Sequence, residues 1–441
     1  MDRTIAVAAF LGIGLWPITG HTLSFDSELE YQARYSTNIA RVEDNPQADV
    51  THVGIARLGV VQNTSRFATR GSGVFSYLYY NDETLSNEAL FYGDISSQAI
   101  LIPRRLNWMV QDRARQVRVD PLQTLGTGNR QNQNDFWTGP DLFFRPGVGN
   151  EVILGGRYGN ITYSDTNNDN QRGVGTLQLA RQVSMPNRVS LNGQVMAVDY
   201  SDDIYQDYDK YDEFLRFERR TTITSLSLDA GASQIERETQ TLNSGLYRLI
   251  LERRGVGGVA LRLAAISELA DTGSDALVPS SSVVSPEFAV SDVFERNRVD
   301  LSIAKTIPDQ SWMADIYYEE RNYDTAPLDN SAVGVILGYS KQLTAYVSGS
   351  MAGSLEERTY DGSDVVERLG GASARLTRII NPKISVFAGT IYASSDSSGG
   401  GRQYKETQYL LGLTYRPWPR SLSEFPVEGF RAGGVLGGGY Y

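Results

Sequence analysis

One stretch near the N-terminus, Leu23 to Tyr35, alternates between apolar and charged side chains at every second residue. Leu29 and Tyr31 lie on one side, whereas Glu30 and Arg34 lie on the other. Because successive side chains of a strand point to opposite faces, this pattern predicts a strand with one apolar and one charged face. The pattern recurs to the C-terminus, with almost no helical stretch to cover the apolar faces. A closed antiparallel β-barrel accounts for it if the apolar outside meets lipid and the polar inside meets water.

Composition favours a chain that crosses a membrane with strands. The 441 residues are 41% hydrophobic, include 25 Tyr and 43 Gly, and contain no Cys. After residue 22, no apolar run approaches the roughly 20 residues that a spanning helix needs. A large soluble β-sandwich, propeller or β-helix is the alternative. The sequence shows neither blade motifs nor short fixed repeats, which argues against it.

Residues 1–20 are predicted to be a secretory signal peptide, with Arg3, an apolar stretch from Ile5 to Ile18 and a polar break after it. An uncleaved helical anchor is the alternative, because Asp2 offsets Arg3 and no clear cleavage motif follows. Export followed by a barrel indicates a Gram-negative outer membrane. We therefore expect residues 21–418 to form a multi-pass barrel in outer-membrane lipid, inserted by barrel-insertion machinery.

Long polar loops alternate with tight turns, which predicts about 16–20 strands, with a direct count of twenty. Shared over roughly 420 mature residues, each strand and its connection has about 21 residues, which suits a membrane strand of about 10 residues plus a loop. Odd-numbered strands are predicted to end in long extracellular loops and even-numbered strands in short periplasmic turns. Both chain ends then face the periplasm.

Three polar segments are predicted to be loops: Pro121–Asp135, Ser201–Tyr211 and Asp271–Pro286. Whether the first folds into the barrel as a plug stays open. The second is acidic and could bind Ca²⁺ weakly, but a solvated loop is the preferred interpretation because it lacks the glycine and final Glu of a Ca²⁺ loop. The Gly-rich segment 419–441 is either a final strand or a tail in the periplasm or lumen.

Charged strand faces are predicted to point inward, because Arg or Lys at the bilayer midplane costs about 2 to 4 kcal/mol. Charges of both signs would line a water-filled lumen and suit a hydroxyl-rich solute. The alternative is a set of structural ion pairs that brace a wide barrel. The candidate lumen residues are Glu28, Glu30, Arg34, Arg216, Glu218, Arg220, Arg248, Glu252, Arg254, Arg262, Asp315, Glu319, Arg321 and Arg375.

Aromatic residues near strand ends are predicted to lie in the two interfacial girdles of the membrane. These residues are Tyr79, Tyr80, Trp108, Tyr200, Trp312 and Trp418.

Several chemistries have little support in the sequence. His52 is the one histidine placed well enough to assist catalysis, and a lone histidine is more often structural, so we do not expect an enzyme. Zinc-type sites need more His or Cys than the chain has, and no cofactor is expected. The formal charge of −11 offers no basic face for nucleic acid.

Four stretches carry a resemblance to a known family: A-R-Y-S-T-N-I in the first strand, N-R-Q-N-Q-N-D-F leading into W-T-G-P-D-L, the central F-E-R-R, and the closing Y-L-L-G-L-T-Y-R-P. In these the chain resembles outer-membrane β-barrel porins, in particular the branch associated with exosortase (PEP-CTERM) and exopolysaccharide gene clusters. The Gly-rich tail departs from that family. The resemblance implies an outer-membrane barrel that passes newly made polysaccharide, with periplasmic polysaccharide-export proteins as partners and no catalytic residues.

The sequence thus predicts a polar outer-membrane conduit, with exopolysaccharide export as its specific function. One alternative is a general diffusion porin for small polar solutes. Another is a closed structural or adhesion barrel that presents its extracellular loops.

Overall fold

The structure is a computed structural model that describes residues 23–119, 129–202, 205–271, 292–361, 365–398 and 403–417. The predicted signal peptide, the segment 419–441 and most of the loop Asp271–Pro286 lie outside these residues. In the described part of the chain, no helix is long and apolar enough to cross a membrane.

In the described residues, twenty strands account for nearly all of the regular structure, with one short 3₁₀ turn at Val256–Gly258. In chain order they are β1 (Leu23–Ser36), β2 (Asp49–Asn63), β3 (Phe67–Tyr80), β4 (Glu88–Ile102), β5 (Leu106–Arg118), β6 (Arg130–Phe144), β7 (Asn150–Tyr163), β8 (Asn170–Ser184), β9 (Asn187–Tyr200), β10 (Tyr208–Arg220), β11 (Thr224–Arg237), β12 (Thr241–Arg254), β13 (Val259–Asp271), β14 (Val293–Ile307), β15 (Gln310–Tyr323), β16 (Asn330–Thr344), β17 (Val347–Tyr360), β18 (Val365–Asn381), β19 (Ile384–Ser397) and β20 (Tyr404–Tyr415).

The strands form one closed, up-and-down antiparallel barrel. Each strand pairs with its neighbours in the chain, and β1 also pairs with β20, from Leu29 opposite Tyr415 to Ser36 opposite Gln408. Closure gives each described strand a paired neighbour on both sides, which is the condition for a sheet to span a membrane. The predicted fold class is confirmed, and the strand number lies at the top of the predicted range.

Apolar side chains cover the outside of the barrel and charged side chains lie inside. On β15, Trp312, Ile316 and Tyr318 are 38%, 53% and 45% exposed, whereas Asp315 and Glu319 are each 3% exposed. A water-soluble protein rarely exposes so many large apolar groups. Such an exterior is stable in lipid, and the barrel is built to cross a membrane many times.

Several strands are longer than the sequence pattern predicts, because the hydrogen-bonded ladder continues beyond the apolar stretch. Strand β6 begins at Arg130, so the end of the predicted loop Pro121–Asp135 is strand. Strand β10 begins at Tyr208, within the predicted loop Ser201–Tyr211. The apolar alternation marks only the part of a strand that faces lipid, whereas the ladder needs only backbone groups.

The rule that odd strands end in long loops fails most clearly at one connection. Strands β11 and β12 are joined by residues 238–240 alone, and the Arg237 amide donates to the Gln240 carbonyl at 2.9 Å. The polar residues before and after this turn pair in register, with Ser233 opposite Ser244 and Gln234 opposite Asn243. These residues are as polar as those of a loop, and the sequence pattern therefore does not show that they form a hairpin.

The W-T-G-P-D-L stretch forms an irregularity between β6 and β7. The pairing of β6 with β7 stops after Thr138 and resumes at Asp141. The gap includes Pro140, which has no amide hydrogen to donate. Gly139 has φ of 159°, and a Cβ there would lie 1.9 Å from the Gly156 carbonyl oxygen. Only glycine fits at this point.

Large inward-facing aromatics lie over glycines on the next strand. Trp137 pairs directly with Gly159, and Tyr317 pairs directly with Gly334. A Cβ added at Gly159 would lie 2.6 to 2.7 Å from the Trp137 ring, and one at Gly334 would lie 2.4 Å from the Tyr317 ring. The missing side chain leaves the space that the ring occupies, and this fixes the ring against the barrel wall.

Candidate functional site

The fourteen candidate lumen residues lie on the side of their strands that also carries the buried residues. We call the interior next to the short turns the turn half, and the interior next to the long loops the loop half. Arg220, Glu252 and Arg254 are at the rim of the turn half and are exposed. Arg34, Asp315, Glu319 and Arg321 are buried, with 3 to 5% of their surface exposed.

A first charge network joins the strands at which the barrel closes. Arg57 contacts Glu28 at 2.8 Å and Glu30 at 3.1 Å. Glu30 also receives Arg375 at 3.3 Å, and the Nε of Arg416 donates to Glu28 at 2.7 Å. The network links β1, β2 and β18 to the residue that follows β20. Arg57 and Arg416 were not among the fourteen candidate lumen residues, although their positions in the alternation mark them as inward.

A second charge network runs along five neighbouring strands from the turn half into the loop half. Arg216 on β10 meets Asp229 on β11 at 2.7 Å, and Arg248 on β12 reaches the same carboxylate at 3.8 Å. Arg248 also donates through Nε to Glu268 on β13 at 2.7 Å, and Glu268 pairs with Arg296 on β14. Positive and negative groups alternate, so each charge is compensated by its neighbours.

A third charge network on β14 and β15 holds two of the predicted residues. The guanidinium of Arg298 contacts Asp300 at 2.7 Å and also pairs with Glu319. Glu319 pairs in turn with Arg321 on its own strand. All four side chains are buried, so these charges are compensated within the barrel wall.

The loop half contains ion pairs that cross the interior. Arg172 on β8 contacts Asp271 at the end of β13 at 2.9 and 3.0 Å, and the Tyr208 hydroxyl also donates to Asp271. Lys210 donates to the Leu269 carbonyl at 2.6 Å. These contacts join β8 and β10 to β13, strands that do not pair with one another, so the walls of the barrel approach each other there.

The loop half also differs from the expected polar lumen, because an apolar cluster lies inside it. Trp137 is fully buried, and residues of nine strands contribute. The cluster consists of Val117, Trp137, Ile161, Tyr163, Val174, Met196, Val198, Tyr208, Ile235, Leu269 and Val293. Sequence reasoning missed it because apolar residues that point inward near strand ends interrupt the alternation only briefly.

The exposure of arginine side chains differs between the two halves of the interior. In the turn half, the side chains of Arg57, Arg216 and Arg375 are 32%, 31% and 36% exposed. In the loop half, those of Arg172 and Arg358 are 1% and 4% exposed. The arginines of the turn half therefore reach water, and we call this half the vestibule, whereas the loop half is packed.

A small cavity of about 10 Å³, about the size of one water molecule, lies in the loop half. It is lined by Arg34, Ser36, Ile39, Thr51, Leu78, Tyr80 and Gln408. Binding sites for small molecules usually have about 300 to 1,000 Å³. This space does not provide a path for a sugar polymer in the conformation described.

His52 and the aromatic residues at strand ends fall into two groups. The Tyr31 hydroxyl lies 2.8 Å from Nδ1 of His52, and the His52 ring also lies 6.2 Å from that of Tyr79, on the outer surface. Trp108 and Trp312 are exposed there too. Tyr80 and Tyr200 are not girdle residues, since Tyr80 is 2% exposed and Tyr200 packs against the apolar cluster inside. Trp418 lies outside the described residues.

The acidic connection between β9 and β10 contains Tyr205, whose ring lies 5.5 Å from that of Tyr200. Partial burial and the neighbouring Asp202 raise the pKa of Tyr205. In the part of the chain that the structure describes, no group of three or more acidic or histidine side chains could hold a metal ion.

No family model matches the sequence, and no curated protein matches it. Among solved structures, the chain is similar to a loop L8 deletion mutant of OmpT, an outer-membrane protein of Vibrio cholerae, with 10% identity, a TM-score of 0.36, and coverage of 90% of this chain and 99% of that one. It is also similar to Pseudomonas aeruginosa OccK2 in complex with glucuronate, with 8% identity, a TM-score of 0.38, and coverage of 90% and 99%.

A third similar structure is a mutant of the ferric enterobactin receptor PfeA from Pseudomonas aeruginosa, with 8% identity, a TM-score of 0.46, and coverage of 89% of this chain and 80% of that one. The location of this chain in a membrane follows from its own surface, because it is a closed barrel with an apolar outside and a charged inside. The protein is a multi-pass β-barrel of the Gram-negative outer membrane.

Proposed function

We propose that the chain is a gated outer-membrane conduit for hydroxyl-rich solutes, and that its solute is an exopolysaccharide on its way out of the cell. The carrying observation is the difference between the two halves of the interior. The turn half presents arginine side chains that are about one-third exposed, whereas those of the loop half are buried. In this proposal the vestibule receives the solute and the loop half is the gate.

The vestibule suits a polymer of sugars for a chemical reason. Arg57, Arg216 and Arg375 offer several N–H donors each, and their carboxylate partners offer acceptors. Because these groups are already paired, the vestibule can exchange hydrogen bonds with hydroxyl groups without holding a strong net charge against the solute. Many weak contacts of this kind let a solute bind and leave.

Opening requires the cross-barrel contacts of the loop half to separate. The Arg172–Asp271 pair is the most buried of them and has partners on strands that are not neighbours. Breaking a buried pair costs about 3 to 5 kcal/mol when one partner is lost. If the strand ends move so that both charged groups become hydrated together, neither charge is left buried alone. Opening then avoids much of that cost.

The resemblance to barrels associated with exopolysaccharide gene clusters supports the polymer as solute, and periplasmic polysaccharide-export proteins as partners that deliver it to the turn end. The short turns are then periplasmic and the long loops extracellular.

Secreted polysaccharide from a deletion strain tests this function. The strain is complemented with the intact gene, with a variant lacking residues 419–441, and with Arg172→Met. We expect secretion to fall on deletion and to return with the intact gene, and the shortened variant then shows whether the tail takes part. Unchanged secretion from a deletion strain, together with outer-membrane localisation of the intact protein, would contradict the polysaccharide assignment.

A closed structural barrel is the second candidate, and the apolar cluster around Trp137 favours it. The ion pairs would then brace the wall, and the extracellular loops would carry the function. Conductance in planar bilayers separates the candidates. A gated conduit gives voltage- or solute-dependent openings, a general porin conducts continuously and admits small sugars into vesicles, and a closed barrel does neither.

A further inference from the structure

Six even-numbered strands carry an outward-facing cation within three residues of their last residue, next to the short turns. The alternation on each strand places the cation on the same face as exposed apolar residues, such as Leu215 on β10, Leu337 on β16 and Leu376 on β18, which are 58%, 54% and 51% exposed. From β8 to β18 these cations are Arg181, Arg219, Arg253, Lys305, Lys341 and Arg378. We call them the turn-end cation row.

None of the six is within ion-pair distance of a carboxylate among the described residues. Many of the cations in the loop half have such a partner, as Arg41 has in Glu406, Arg172 in Asp271 and Arg358 in Glu356. The contrast shows that the barrel neutralises cations in its interior and leaves those of the row available to a group outside the protein.

The row lies at the level where lipid headgroups begin. Trp312, which pairs directly with Lys305, is an exposed outward residue, and tryptophan prefers the membrane interface. Even-numbered strands are two strands apart, so neighbouring cations are separated by roughly 10 Å across the strands. Their long stems can lie along the apolar surface while the charges reach the headgroups.

We propose that the turn-end cation row binds the phosphate groups of anionic phospholipids in the periplasmic leaflet of the outer membrane. The position argues for lipid rather than a soluble anion, because each cation continues an apolar column that faces the bilayer. Each Lys or Arg near an anionic membrane surface increases the binding constant for that surface about fivefold. The row covers β8 to β18 only, so it forms a binding surface on one side of the barrel. This proposal does not depend on the conduit.

Quenching of tryptophan fluorescence by brominated phospholipids tests the proposal at the row itself. The full chain is refolded into phosphatidylcholine vesicles that contain either brominated phosphatidylglycerol or brominated phosphatidylcholine. The difference between the intact protein and Trp312→Phe isolates the signal beside Lys305. We expect phosphatidylglycerol to be enriched several-fold there at low salt and much less at high salt, because salt screens exposed charges.

The triple variant Arg253→Gln, Lys305→Gln, Lys341→Gln removes the cations around Trp312 and should abolish the enrichment. Arg66→Gln, Arg104→Gln, Arg105→Gln is the matched control, since these exposed cations lie in or next to the turns of other strands and should leave it unchanged. Heat-dependent gel mobility shows that each variant is folded.

Three results would overturn the proposal: equal quenching by both lipids in the intact protein, persistent enrichment in the triple variant, or equal loss in the control. The last of these would show that the enrichment follows the total charge of the rim and not the row. A preference of the row for lipopolysaccharide over phosphatidylglycerol, in vesicles containing both, would overturn the leaflet assignment.

Discussion

The guanidinium of Arg172 contacts the carboxylate of Asp271 at 2.9 and 3.0 Å, although the two residues are 99 positions apart and lie on strands that do not pair. Both side chains are nearly inaccessible to water. We expect Arg172→Met to leave Asp271 buried without its main cation and to cost about 3 to 5 kcal/mol in stability. The double variant Arg172→Met, Asp271→Leu should recover much of that loss.

Urea unfolding in vesicles measures these stabilities. The matched control is the exposed pair Arg368–Glu357, in which the side chains are 65% and 47% exposed, so Arg368→Gln should change stability by less than about 1 kcal/mol. The Arg172 variants should also conduct more often in planar bilayers if this pair holds the gate closed. Stable variants with unchanged conductance would show that the pair is structural only.

Charge in the vestibule should determine ion selectivity. Asp229 lies between Arg216 and Arg248, at 2.7 and 3.8 Å. Asp229→Asn removes the carboxylate that Arg216 contacts and one of the two that Arg248 contacts, so the network gains net positive charge and an open channel should shift towards anions. The reversal potential in a KCl gradient measures the shift. Glu357→Gln, on an exposed side chain of β17, is the control and should leave the potential unchanged. No shift in Asp229→Asn would mean that ions do not pass this network.

The glycine opposite Trp137 should be essential for packing. In Gly159→Ala the new Cβ would lie 2.6 to 2.7 Å from the ring, which is too close without displacement of the indole. Overpacking of this kind costs about 1 to 3 kcal/mol. Gly173→Ala on β8 is the control, because nothing lies within 4 Å of a Cβ there. Midpoints of heat-dependent gel mobility report the stabilities, and equal midpoints for the two variants would contradict the packing assigned to Trp137.

Adjacent leucines on β20 test the direction of the strand faces. Leu411 is 67% exposed and faces lipid, whereas Leu410 has the inward phase of Gln408 and Thr414. Leu411→Arg should lower stability by about 2 to 4 kcal/mol, because it places the charge in lipid near the bilayer midplane. Leu410→Arg should cost less, because the charge meets the interior. Folding yield and urea midpoints in vesicles compare them, and a larger loss for Leu410→Arg would reverse the assignment of inside and outside.

The sequence alone determined the barrel class, the approximate strand number and the faces of the strands. Alternation is a property of neighbouring residues, so Trp312 and Asp315 are separated into outside and inside without knowledge of the fold. Polar strand ends carry no such signal. For this reason β11 was expected to end in a long loop, and the first residues of the strand from Arg130 were predicted to be a loop.

Only the tertiary structure decided which inward residues meet. Arg172 reaches Asp271, and Glu30 receives Arg375 from a strand far away in the chain, because closure of β1 onto β20 and the approach of the walls set those distances. The packed loop half has the same cause. Inward apolar residues of nine strands form one cluster only when the barrel brings their ends together, and no local pattern contains that information.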